Sequence, residues 1–243
     1  MKSFLHITYA LLFILGMASC ANVTEQDPNT PQEGKIVDGK KQGVFETLKG
    51  DKIANRISYK DGVRHGLTQD FYVSGKLRSD IMYINGVKNG DAIFYYGDGL
   101  TPYRVNNYVN GKREGLQRKY HKNGELLSEL EYYNDHPGIG LVEYSKAGRK
   151  KSLGLKIIAE EKKSRGKKIL RVHLSNDSQK VDFFVGKLTN EKYLNDQLRT
   201  INIGKGFGEI DLSKYKGQEI NIIAKYETRF SNDFIKVMTY KVK

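Results

Sequence analysis

Residues 59–75 read Tyr59-Lys60-Asp61-Gly62-Val63-Arg64-His65-Gly66-Leu67-Thr68-Gln69-Asp70-Phe71-Tyr72-Val73-Ser74-Gly75. This stretch decides the fold, because it recurs. Gly62, Gly86 and Gly111 form one column, spaced by 24 and 25 residues. Gly66, Gly90, Gly115 and Gly140 form a second, and Gly75, Gly99, Gly124 and Gly148 a third. Tyr59, Tyr83, Tyr108 and Tyr133 keep the same step. Gly39, Gly43 and Gly50 mark an earlier, degraded unit. In the last unit, begun at Tyr133, His136 stands where the first glycine belongs and the following run is one residue short.

Backbone geometry explains the spacing. Asp61-Gly62, Asn85-Gly86 and Asn110-Gly111 are dipeptides that tolerate positive φ, the strongest short-range hairpin signal. Ser74-Gly75, Asp98-Gly99, Asn123-Gly124 and Ala147-Gly148 mark a second reversal per unit. Segments of strand length lie between, such as 67–73 and 76–84. Each unit is therefore two antiparallel strands. A lone hairpin is marginal in water, whereas stacked units bury a continuous face. The recurring Tyr and Phe are expected to form rows along it.

Working outward, residues 7–17 are an apolar run too short to span a membrane, and Lys2 precedes it. They read as a signal-peptide core. The run ends in Met17-Ala18-Ser19-Cys20, and Cys20 is the chain's one cysteine. Residues 21–34 carry Pro28 and Pro31 among polar residues and read as a tether. After Gly148 the glycine period stops, and Arg149, Lys150 and Lys151 mark the seam. Short apolar runs follow at 155–159, 169–174, 181–185, 200–203, 209–212, 219–226 and 234–240. Seven short strands suggest a β-sandwich of immunoglobulin-like size. Residues 211–220 read as a loop entering a strand, and 190–198 as a short helical turn. The expected fold class is all-β: a single-layer meander of antiparallel β-hairpins over 35–150, followed by a small β-sandwich over 153–243.

Two resemblances rest on these residues. Small residues before Cys20 resemble the lipobox of bacterial lipoproteins, although Met17 stands where Leu is usual. The resemblance implies cleavage between Ser19 and Cys20, removal of residues 1–19, and acylation of Cys20. It implies a lipid-anchored protein of the bacterial cell envelope, sorted to the outer membrane. The Tyr59/Gly62/Gly66, Tyr83/Gly86/Gly90 and Tyr108/Gly111/Gly115 pattern, with Gly140, resembles the bacterial variant of the MORN repeat. That family implies binding or scaffolding. Its bacterial members are often labelled antitoxin components, which suggests a toxin-neutralising alternative.

Composition and motifs bound the chemistry. The 243 residues hold 41 Lys plus Arg against 28 Asp plus Glu, a net charge of +13. With 38% apolar residues a polytopic membrane protein is excluded, and one cysteine excludes an intrachain disulfide framework. His65, His121, His136 and His173 show no metal-site spacing and read as solvated turn residues. No nucleophile elbow occurs, and Gly204-Lys205-Gly206-Phe207-Gly208 lacks the frame of a phosphate cradle, so it reads as a turn. Glu160 and Glu161 lie side by side in a charged turn, a poor acid–base pair. No catalytic residue, metal or cofactor is expected. Lys162, Lys163, Arg165, Lys167 and Lys168 cluster in one expected hairpin turn and are the candidate anion-binding group, for an anionic glycan or lipid headgroup. The leading expectation is a non-enzymatic envelope scaffold with a protein partner and no nucleic acid.

Overall fold

The computed structural model describes residues 33–243. The expected signal peptide, Ser19, Cys20 and most of the tether lie outside the described residues. The first half of the fold is a meander. Its strands are β1 (Lys35–Val37), β2 (Lys40–Lys49), β3 (Lys52–Lys60), β4 (Val63–Phe71), β5 (Leu77–Ile84), β6 (Val87–Tyr95) and β7 (Pro102–Val109). They continue as β8 (Lys112–Arg113), β9 (Gly115–Tyr120), β10 (Leu126–Tyr133), β11 (His136–Pro137), β12 (Val142–Tyr144) and β13 (Lys150–Lys151). All thirteen belong to one antiparallel sheet whose spatial order follows the chain, with β8 paired to β7 and β11 to β10.

The turns behave as their chemistry requires. Asp61, Asn85 and Asn110 have φ of 52°, 49° and 49°, and the glycines after them 80°, 82° and 83°. Such double left-handed turns match the twist of the flanking strands. A side chain at Gly111 would also stand 2.9 Å from Val87 Cγ1 of the preceding hairpin.

One face of this sheet carries its core. The cross-strand register places Ile57 beside Thr68, Thr68 beside Ile81, Ile81 beside Ala92 and Ala92 beside Asn106. Gln117 and Leu130 continue the row, and all seven side chains are buried. Apolar positions begin the row and amides interrupt it. Gln117 Nε2 donates to Asn106 Oδ1 at 2.8 Å, which satisfies two buried groups at once. The opposite face is wetter and carries the cross-strand ion pairs Arg56–Glu46 and Arg118–Glu129.

The second half is a sandwich. One sheet contains β14 (Ile157–Ser164), β15 (Lys167–Leu174), β18 (Asn202–Gly204) and β19 (Phe207–Asp211). The other contains β16 (Val181–Val185), β17 (Arg199–Thr200), β20 (Glu219–Glu227) and β21 (Asp233–Lys241). Alternation along β15, β16 and β20 turns Leu170, Val172, Leu174, Phe183, Ile220 and Ile222 into one shared core. A smaller cluster of Leu194, Ile223 and Ile235 lies on the outer side of the second sheet.

Four details differ from the sequence reading. Residues 190–198 form no helical turn: Asn190 and Glu191 have φ of 49° and 57°, and Thr189 bridges Tyr193. Glu160 and Glu161 lie within β14, not in a turn, because the reversal falls at Arg165-Gly166. Lys150 and Lys151 are the last strand of the large sheet. The fourth repeat starts one residue earlier than the glycine period suggests, as shown next.

Candidate functional site

Two features could present a surface to a partner: a ladder along the array, and the joint between array and sandwich. The ladder is built from the repeat columns. Tyr59 stands directly across from Gly43, Tyr83 from Gly66, Tyr108 from Gly90 and Tyr132 from Gly115. Glycine offers no side chain there, and a cation two residues before it reaches the ring. Lys41 Nζ lies 4.8 Å from the Tyr59 ring centre and Lys88 Nζ 5.1 Å from that of Tyr108. The guanidinium carbons of Arg64 and Arg113 lie 5.6 and 3.9 Å from the Tyr83 and Tyr132 centres. Each contact is a cation–π interaction, worth about 0.5–1 kcal/mol where exposed. Successive rungs are two strands, about 10 Å, apart.

The ladder corrects the fourth unit. Its tyrosine is Tyr132, not Tyr133, and its turn is Asn134-Asp135, with φ of 52° and 70°. Asp135, rather than His136, occupies the glycine position. The backbone agrees: Gly62 N donates to Lys41 O, Gly86 N to Arg64 O, Gly111 N to Lys88 O and Asp135 N to Arg113 O. Gly140 keeps the left-handed φ of its column, 101°.

A second column runs along the other turn edge. Tyr72 Oη donates to Tyr95 O at 2.6 Å, and Tyr96 Oη to Tyr120 O at 2.8 Å. His121 takes the same place in the next unit, with Nε2 3.3 Å from Tyr144 O. It is a structural donor rather than a solvated turn residue, a role visible in sequence only once His121 is aligned with Tyr72 and Tyr96. His173 Nδ1 contacts Asp177 Oδ1 at 2.8 Å, and His136 Nε2 lies 3.6 Å from Asp196 Oδ2.

The joint grips β10 on both faces. On one face, Ser128 follows the buried row, and the loop between β20 and β21 covers it. Asn232 Nδ2 and Thr228 Oγ1 donate to Glu143 Oε1 at 2.8 and 2.7 Å, and Ser128 Oγ donates to Asn232 Oδ1. Lys119 Nζ donates to the carbonyls of Phe230 and Ser231 at 3.1 and 2.7 Å. Burial, and then neighbouring Arg104, push the Lys119 ammonium pKa down. On the other face, Glu131 accepts from Lys192 Nζ and, at 2.6 Å, from Tyr193 Oη. These bonds, Lys192 first, hold its carboxyl below the usual range. Ile139 N donates to Lys192 O and Leu194 N to Pro137 O. Sequence reasoning missed this joint, because its partners are ordinary polar residues up to 112 positions apart.

The expected anion-binding hairpin is largely self-neutralised. Lys162 pairs with Glu209, Lys167 with Asp211 at 3.0 Å and Lys168 with Glu161 at 2.7 Å. Lys163 and Arg165 remain at its tip. The run 204–208 spans the end of β18, the Lys205-Gly206 turn and the start of β19. Among the described residues no group of three or more His, Cys, Asp and Glu is placed to hold a metal ion, and no helix is long and apolar enough to cross a membrane.

Fold and joint together define an all-β protein in which a hairpin-repeat sheet is clamped to a β-sandwich. Comparison with protein-family models, curated proteins and solved structures gives no match.

Proposed function

We propose that this chain is a non-enzymatic, lipid-anchored protein of the bacterial cell envelope, a repeat scaffold for binding or assembling another envelope protein. The observation that carries the reading is the clamp on β10. A sandwich tied by side-chain bonds to both faces of one strand gives a single rigid surface, which lowers the ordering cost of binding a large partner. The lipobox-like Cys20 and the polar residues after it supply an anchor and a leash. The outer membrane is the proposed site.

A second reading, binding of an anionic glycan or lipid headgroup, is favoured by the cation–tyrosine ladder more than by the 162–168 hairpin. Among the described residues Arg113 alone of the four ladder cations has a carboxylate partner, Asp135 at 3.1 Å.

The test is crosslinking in native envelopes with the chain anchored through Cys20, read by mass spectrometry against a soluble form starting after the tether. One stoichiometric protein partner crosslinked to the array supports the scaffold. Polysaccharide or lipid recovered without a protein partner supports the second reading. A hydrolytic activity abolished by one substitution overturns both.

A further inference from the structure

The sandwich is open along one edge. Where the strap of residues 152–156 leads out of the large sheet past the start of β21 lies an open cleft of about 630 Å³. That volume falls within the range of small-molecule sites. Its apolar lining comes from Leu141, Leu153, Leu155 and Phe234, and its charged lining from Lys150, Lys151, Lys156 and Lys236. The first four side chains are half-buried, and Leu155 rests against the sandwich core. No carboxylate lines the cleft. Among the described residues none of the four lysines is in an ion pair, unlike Lys162, Lys167 and Lys168 on the same sandwich. Farther along this edge the opening is closed by Tyr240 Oη donating to Glu161.

We propose that this cleft binds a free amphiphilic anion, a single aliphatic chain ending in a carboxylate or phosphate. The chain lies against the leucines and Phe234, and the head sits among the lysines. Lys151 Nζ lies 5.3 Å from the Phe230 ring centre; the other three lysines are exposed like charges, and an anionic head relieves their repulsion. The half-buried leucines and Phe234 beside the lysines favour a chain-bearing anion over a bare one, and the vesicle arm of the test separates a free molecule from a bilayer. This site lies apart from the ladder and adjoins the clamp, since Lys151 stands across from Glu143, and it does not rest on the scaffold reading.

The test is isothermal titration calorimetry of residues 32–243, the compact unit that contains both cores. The probes are dodecanoate, dodecyl phosphate and dodecanol. One-site binding of the two anions is expected, at least about tenfold tighter than dodecanol. The double variant Lys156→Glu/Lys236→Glu changes two exposed side chains and is expected to weaken the anions about tenfold. Lys214→Glu/Lys216→Glu, at two exposed positions elsewhere on the surface, is expected to leave affinity unchanged. Unaltered thermal melting establishes that both variants fold. Equal binding of dodecanol, equal losses in the two variants, or binding confined to phosphatidylglycerol vesicles overturns the proposal.

Discussion

Asn232 Nδ2 donates to Glu143 Oε1 at 2.8 Å across the joint, and the two residues are 2% and 3% exposed. A buried carboxylate that loses a donor retains its desolvation penalty, about 1–3 kcal/mol. Asn232→Ala is therefore expected to lower the melting temperature, by about 2–4 °C for each kcal/mol lost. Circular dichroism melting measures this; an unchanged melting temperature contradicts the bonding described.

Tyr132 and Tyr133 are adjacent yet unequal. Tyr132 is 4% exposed beneath the Arg113 guanidinium, while Tyr133 is 40% exposed. Truncating a buried aromatic to alanine costs about 3–5 kcal/mol. Urea denaturation should show that loss for Tyr132→Ala and about 1 kcal/mol for Tyr133→Ala. The reverse order would restore the register suggested by the glycine period.

Tyr96→Phe deletes one hydroxyl, the donor to Tyr120 O. The expected loss is about 1 kcal/mol. His121→Phe removes the equivalent donor in the next unit, with a loss of similar size; the Tyr96 bond ends on the peptide that precedes His121, so the double variant reads their coupling. Strong non-additivity in the double variant would mean that the columns are coupled.

Asp211 supplies the pH signature of the sandwich. Its carboxyl is held down from 3.8 to about 2, first by the Ser213 hydroxyl and then by Lys167. A depressed folded-state pKa adds stability above the unfolded value and loses it as pH falls through the folded one. The stability advantage over Asp211→Asn should thus be complete at neutral pH and vanish toward pH 2. Carboxyl resonances followed by NMR give the midpoint; a value near 3.8 contradicts the Ser213 and Lys167 contacts.

The array was legible because turn geometry is written locally. Asp61-Gly62 and its successors permit few backbones, so hairpins and strand lengths follow from dipeptides. The fourth unit misled because Asp135 replaces glycine: aspartate also adopts positive φ, yet it breaks the visible column. The sandwich was legible from alternation at 170–174 and 220–226. The clamp was not, since Ser128, Glu131 and Glu143 read as exposed polar residues until loops from the sandwich cover them. The lysines of 162–168 were found, but their neutralising partners Glu209 and Asp211 sit on β19, more than 40 positions away.

The central claim is that array and sandwich act as one body, and differential scanning calorimetry of residues 32–243 tests it most directly. The account predicts one transition, with a calorimetric-to-van't Hoff enthalpy ratio of about 1. Two separated transitions, with melting temperatures unmoved by Asn232→Ala or Glu131→Ala, would contradict it.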